Sequence, residues 1–247
     1  MGRLYSALGF IGVCCLASPA SAQSSFADQP VLSLGVLALL SLLPFAFMAT
    51  TSFVKISVVL SILRNALGTG QVPSGTIIAG LSVILSLYVM TPVGYEIIEE
   101  AGPAAARVDQ DAPLEGESFD ALMEAVEQGA APLRRFLDRH AGDEEKALFY
   151  DMARQVRPAA QRAEVSADDL LVLLPAFLIT ELAEAFQIGF LVFVPFLVID
   201  MVVANVLLAL GMHMLSPTTV SLPFKLLLFV LVKGWYLLAR ALVLGYF

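Results

Sequence analysis

The fold is decided by a long apolar stretch, which reads from residue 170 to residue 217 as LLVLLPAFLITELAEAFQIGFLVFVPFLVIDMVVANVLLALGMHMLSP. It ends in a turn-like sequence, GMHMLSP, that interrupts the apolar pattern. Non-helical backbone at membrane depth survives only inside protein or beside a water-filled path. The break around Met212 and Met214 therefore indicates a lined passage, and two core methionines at a helix end are an equally good interpretation.

The rest of the chain has the composition of a membrane protein. Of its 247 residues, 58% are hydrophobic and 15% are charged, whereas soluble domains carry about 25% charged residues. Uncharged runs cover residues 29–54, 65–95 and 201–224, and a helical span needs roughly 20 apolar residues. We expect an all-α protein with four hydrophobic membrane-type helical segments, kinked and broken and arranged in hairpins, plus a small acidic helical insert.

A signal peptide is predicted over residues 1–22. Arg3 precedes a short apolar stretch, and the sequence ASA at residues 20–22 fits the small-residue cleavage rule. An uncleaved first membrane helix is the alternative. Both cysteines, Cys14 and Cys15, lie in this segment, so a cleaved chain would have no disulfide and no thiolate metal ligand.

Two hydrophobic hairpins are predicted, over residues 23–95 and 170–247. Pro44 is expected to kink the first hairpin, and glycines and a proline within residues 68–73 mark its turn. The second hairpin contains the Met-rich loop, and its last helix is expected to begin at Phe224.

The acidic insert is predicted over residues 96–169, with 18 acidic and 8 basic side chains and a net charge of −10. It offers no basic surface for nucleic acid. Gly102 and Pro103 predict that it starts as a loop, and stripes of apolar residues predict two or three amphipathic helices after that. The charge bias around the first hairpin predicts that the insert is extracytoplasmic.

Charged side chains interrupt the apolar segments at six positions, which are Lys55, Arg64, Glu181, Glu184, Asp200 and Lys225. Each would cost about 2.5–3.5 kcal/mol at the centre of a membrane helix. An ion or proton pathway is one interpretation. Because acids and bases are both present, we favour ion pairs that hold helices or subunits together.

Enzyme chemistry is not indicated. Glu181 and Glu184 lie three residues apart and could bind a metal or share a proton, but the sequence lacks the Glu-x-x-His elements that complete a two-metal bundle site. Nucleophile-elbow and phosphate-loop motifs are missing too. We therefore predict no catalytic residue, no metal and no cofactor.

Five motifs spread over nearly the whole chain read TSFVKI at residues 51–56, LRNALG at 63–68, ELAEAFQIGF at 181–190, PFLVID at 195–200 and SLPFKL at 221–226. Together they resemble the FliP/SctR family, the core export-gate proteins of type III secretion. The resemblance implies packing roles for residues within these motifs, namely Asn65, Gly68, Phe186, Gln187, Gly189 and Pro223.

The resemblance also implies an assembly and a location. Five copies would join FliR/SctT-type, FliQ/SctS-type and FlhB/SctU-type subunits in the bacterial inner membrane, with an extracytoplasmic, periplasmic portion. Unfolded proteins would be exported through the resulting pore. The sequence patterns favour the injectisome SctR branch. A flagellar FliP with the same role is one alternative, and an ion- or proton-conducting membrane protein is another of a different class.

In this family the Met-rich loop forms a gasket that narrows the pore, which implies that role for Met212, His213 and Met214. Two positions depart from the family pattern. His213 stands where a third methionine is usual, and Lys233 stands where an acid is common. Because histidine gains charge near neutral pH, we hypothesise that His213 loosens the seal or makes it sensitive to pH.

Overall fold

The computed structural model describes residues 30–70, 72–109, 116–158, 162 and 165–247. Its described residues form eight α-helices, which are α1 (Pro30–Thr50), α2 (Phe53–Leu67), α3 (Gly75–Ala105), α4 (Gly116–His140), α5 (Asp143–Val156), α6 (Leu170–Ala209), α7 (Pro217–Leu231) and α8 (Gly234–Leu244). The all-α prediction is confirmed. The predicted signal peptide lies outside the described residues.

Two of the described helices, α3 and α6, are long and apolar enough to cross a membrane alone. Two bent pairs pass the same criteria if each counts as one broken span. Ser41–Thr50 and Phe53–Leu67 meet at 77°, and α7 and α8 meet at 60°. The structure thus has between two and four membrane-type segments in its described part, in agreement with the predicted kinked and broken hairpins.

The first hairpin has a sharp bend that was not predicted, and the kink expected at Pro44 stays a prediction. Pro44 lies inside α1, which continues to Thr50, and the sharp corner follows at Thr51 and Ser52. The hydroxyl of Thr51 donates to the carbonyl of Phe47 at 2.7 Å, which offers the backbone an alternative to helical hydrogen bonds. Ser52 is buried, and its hydroxyl donates to that of Ser86 at 3.2 Å. This polar contact anchors the corner against α3.

The predicted boundary at residue 96 lies within α3, and the predicted loop start at Gly102 and Pro103 is wrong. Both residues belong to the last turns of the helix. Packing against α4 explains the extension, since the Arg135 guanidinium contacts Glu96 and Glu100 at 2.9 and 2.6 Å. These contacts from α4 favour continued helix over the local turn signal.

The predicted last helix is two helices in the structure, α7 and α8. This segment begins at Pro217 rather than at Phe224, because proline at the first helical position has a suitable φ and needs no hydrogen bond for its nitrogen. It breaks at Lys233, which adopts a left-handed conformation with φ of 53°. The chain then bends into α8.

Helix α6 takes part in both clusters of buried apolar side chains. The first cluster joins α2, α3, α6, α7 and α8 and includes Ile56, Val59, Leu63, Ile78, Ala185, Phe196, Phe229 and Leu242. The second joins α3, α4 and α6 and includes Val89, Phe136, Leu137, Leu173, Phe177 and Tyr246. Gly189 is buried where α6 approaches α2 closely, and an added Cβ there would overlap the Ile62 side chain.

Replacing Gly234 by alanine should destabilise the protein. The added Cβ would overlap the ring of Phe229, which belongs to the first core cluster, and overpacking of this kind costs about 1–3 kcal/mol. Thermal loss of the helical circular dichroism signal in detergent measures the effect. Gly80→Ala is the matched control, because a Cβ at this helical glycine has no neighbour within 4 Å. An unchanged midpoint for Gly234→Ala would contradict the packing.

Candidate functional site: two buried ion pairs and an exposed Met-rich turn

The first charged group is the Lys55 cluster, formed by Lys55, Glu181, Glu184 and Tyr246. The ammonium of Lys55 on α2 lies 2.9 Å from Glu181 and 2.6 Å from Glu184. The two acids are three residues apart on α6, so they share a helix face. Lys55 is 4% exposed and Glu181 is completely buried, whereas the Glu184 side chain is half-exposed. The cluster therefore joins α2 to α6 with a largely desolvated ion pair.

Tyr246 completes the cluster from the C-terminal end of the chain. Its hydroxyl donates a hydrogen bond to the second carboxylate oxygen of Glu181. The Lys55 ammonium also lies 4.2 Å from the centroid of the phenol ring, a cation–π geometry. Sequence reasoning missed this residue, because a single aromatic side chain after a helix end gives no local signal for a distant carboxylate.

The second charged group joins α6 to α7. Lys225 donates to Asp200 at 2.6 Å and to the carbonyl of Ala66 at 3.1 Å, and the Ser221 hydroxyl donates to the other Asp200 oxygen at 2.5 Å. Ala66 lies in the last turn of α2, where carbonyls lack helical partners and attract cations. The left-handed Gly68, with φ of 72°, ends α2 beside this ammonium. Lys225 thus ties three helices together.

Arg64 joins neither charged group. It lies in the last turn of α2, and its Nε is buried without a hydrogen-bond partner among the described residues. The structure therefore unites five of the six predicted charged residues in two groups and leaves Arg64 apart from them.

The family-motif residues have different surroundings. Gly189 is buried against Ile62, and Gly68 ends α2. The carbonyl of Asn65 accepts the Gly68 amide at 3.1 Å, while its side chain is exposed. Three more are exposed on α6 and α7, which are Phe186, Gln187 and Pro223. Their packing roles stay predictions.

The Met-rich turn, residues 211–216, follows the end of α6. Gly211 adopts a left-handed conformation with φ of 73°. Its amide donates to Leu208 at 3.0 Å, and the amide of Met212 donates to Leu207 at 2.9 Å, so the last carbonyls of the helix are satisfied as in a glycine-terminated helix. Met212 and His213 are exposed, and Met214 is 99% exposed. The interpretation as core methionines of a single chain does not fit this exposure.

Chemically, the two charged groups hold helices together and the turn offers soft, exposed side chains. Among the described residues, no group of three or more histidine, cysteine or acidic side chains could hold a metal ion. Thioethers are flexible and polarisable, so they adapt to irregular surfaces. The arrangement suits a conformable contact surface at the end of a rigid helix.

Replacing Lys55 by methionine should destabilise the protein strongly, because Glu181 would remain buried without its cation. Breaking a buried pair in this way costs about 3–5 kcal/mol. Glu184→Gln should lower the stability by only about 0–1 kcal/mol, since this side chain is half-exposed. Lys55 still forms its ion pair with Glu181 in this variant. Thermal unfolding in detergent compares the two variants.

The double variant Lys55→Met, Glu181→Gln is the control, because it removes both buried charges and keeps an acceptor for Tyr246. It should recover most of the stability that Lys55→Met loses. Equal losses of stability in Lys55→Met and Glu184→Gln, or no recovery in the double variant, would contradict the ion-pair account.

A family model described as "FliP family" matches residues 36–242. The chain is 46% identical over 211 residues to "Yop proteins translocation protein R" of Yersinia pestis, covering 85% of this chain and 94% of that protein. It is 46% identical over 207 residues to "Hypersensitivity response secretion protein HrcR" of Ralstonia nicotianae, covering 84% and 93%. It is 45% identical over 217 residues to "Flagellar biosynthetic protein FliP" of Pectobacterium carotovorum, covering 88% and 79%. The chain therefore belongs to the FliP family.

Proposed function

We propose that this chain is a core subunit of a type III secretion export gate, through which unfolded proteins cross the bacterial inner membrane. Family membership and similarity to proteins named for translocation and secretion support this function. The chain spans nearly the full length of its Yersinia and Ralstonia relatives and 79% of the flagellar one. This difference favours an injectisome over a flagellum.

The exposed Met-rich turn is the observation that carries the proposed mechanism. We infer that Met212, His213 and Met214 of each copy meet around the export path and form its gasket. The turn extends from the end of a 40-residue helix, so a rigid element would present soft side chains to the passage. Flexible thioethers can close on one another and open around an unfolded chain of variable shape.

The two charged groups would serve the assembly of the gate rather than a proton path. Lys55 and Lys225 both have acidic partners within the chain, and Tyr246 and Ser221 occupy further carboxylate oxygens. Buried charges that are paired in this way usually fix structure. No specific observation favours the ion-conducting alternative, and an enzymatic role is not proposed.

Exposed apolar side chains favour an oligomer within a membrane. On α6 they include Phe190, Leu191, Val194, Leu197, Val198, Met201, Val202 and Val206. Apolar surface of this extent is typical of contact with lipid or with other subunits. We propose five copies together with FliR/SctT-type, FliQ/SctS-type and FlhB/SctU-type subunits, with the acidic insert on the periplasmic side.

Native mass measurement tests the proposed assembly. The chain is produced together with the three partner subunit types and extracted in detergent. We expect one large complex that contains several copies of this chain. A monomer in the presence of all three partners would overturn the proposal.

Replacing His213 by methionine tests the gasket. A third thioether cannot gain a proton, so we expect less ion leak through the closed gate and a weaker dependence on pH between about 5.5 and 8. Ion flux into vesicles that contain the assembled gate is the measurement. Leu215→Met is the matched control, because it adds a methionine to the same exposed turn and keeps the histidine. Identical leak in wild type and His213→Met at every pH would rule out the hypothesis.

A further inference from the structure

An aromatic column connects the acidic insert to the Lys55 cluster. Phe136 and His140 on α4 have ring centroids 4.6 Å apart. His140 meets Tyr246 edge to face at 5.1 Å, and Tyr246 in turn contacts both Lys55 and Glu181. The phenol ring of Tyr246 therefore contacts both the imidazole of His140 and a buried ammonium group.

Charged groups from three parts of the structure act on His140. Arg139 is its neighbour on α4, and the charges of Lys55 on α2 and of Glu184 on α6 also act on it. Burial, followed by the charges of Lys55 and Arg139, lowers the pKa of His140, and Glu184 opposes this shift only in part. Glu181 is bound by the Tyr246 hydroxyl and pairs with Lys55. The surroundings thus favour the neutral imidazole.

The backbone after His140 is attached to the helix that carries the cluster. His140 is the last residue of α4, and the amide of Gly142 donates to the hydroxyl of Thr180 on α6 at 2.8 Å. Thr180 directly precedes Glu181. An added Cβ at Gly142 would overlap the Glu145 side chain and lie 3.2 Å from the Thr180 hydroxyl, so the corner is closely packed between α5 and α6. Because only one residue separates His140 from Gly142, a movement of His140 can weaken the hydrogen bond between Gly142 and Thr180.

We propose that His140 is a proton-sensitive latch between the acidic insert and the Lys55 cluster. A second proton on the imidazole places a new cation beside Lys55 and Arg139. Repulsion then weakens the contact with Tyr246 and releases the corner at residues 140–142 from α6. That this release regulates export rests on the proposed function, whereas the latch itself does not.

The direction of the pH effect follows from the lowered pKa. Above about pH 6.5, the ordinary value for histidine, the imidazole is neutral in both the closed and the released corner. As the pH falls below this value, the released state takes up the proton first, so the closed state loses stability. The loss is complete once the pH has passed the lowered pKa of the closed state.

Hydrogen exchange at the amide of Gly142 tests the latch in the intact detergent-extracted complex. Protection, corrected for the intrinsic exchange rate, is measured at about pH 7.5 and 5.5, on either side of the histidine range. We expect it to fall by about threefold or more in the wild type on acidification. His140→Phe keeps an aromatic ring that cannot be protonated, so its protection should be the same at both values.

His213→Phe is the matched control, because the sequence contains only two histidines and His213 lies exposed in the Met-rich turn. Its protection at Gly142 should fall as in the wild type. A pH-independent wild type, or an equal fall in His140→Phe, would overturn the proposal. If His140→Phe prevents assembly, the uncharged His140→Gln replaces it with the same two outcomes. Because the readout needs no secretion, its failure is distinct from failure of the proposed export function.

Discussion

The need to pair the buried ammonium of Lys55 constrains how α2, α6 and the C-terminal end of the chain pack together. Unpaired, a charge in this apolar environment would cost several kcal/mol. Its partners come from α6 and from Tyr246 next to the C-terminus, so the constraint joins distant parts of the chain. The register of α2 on α6 is set by this cluster, and the close approach at Gly189 becomes possible in that register.

The same helix α6 has one fixed part and one free end. Glu181 and Asp200 attach it to α2 and α7, whereas its C-terminal end continues into the exposed Met-rich turn. A flexible surface works best when a rigid scaffold positions it. The ion pairs and the turn are therefore complementary. The ion pairs fix the position of α6, and the Met-rich turn contacts the exported polypeptide or a neighbouring subunit in the proposed gate.

The helical class and the set of charged positions could be predicted, since apolar runs and the cost of isolated charges are local properties of the sequence. The details that failed depend on tertiary contacts. The first hairpin bends sharply at Ser52, where the buried hydroxyl donates to that of Ser86, and no local signal predicts this corner. Helix α3 continues through Pro103 because α4 packs on it. The identity of the acids that pair with Lys55, and the hydrogen bond from Tyr246 to Glu181, depend on contacts between distant parts of the chain and could not be predicted from the sequence.

Site-specific cross-linking from the Met-rich turn tests the central claim, that this turn lines an export path, most directly. The sequence has only two cysteines, Cys14 and Cys15, so replacing them with alanine and introducing Met214→Cys gives one reactive position. With an exported polypeptide arrested in the assembled gate, we predict a cross-link between residue 214 and that polypeptide. Val156→Cys, also highly exposed on α5, should give none. Cross-links from position 156 but not from position 214 would contradict the account.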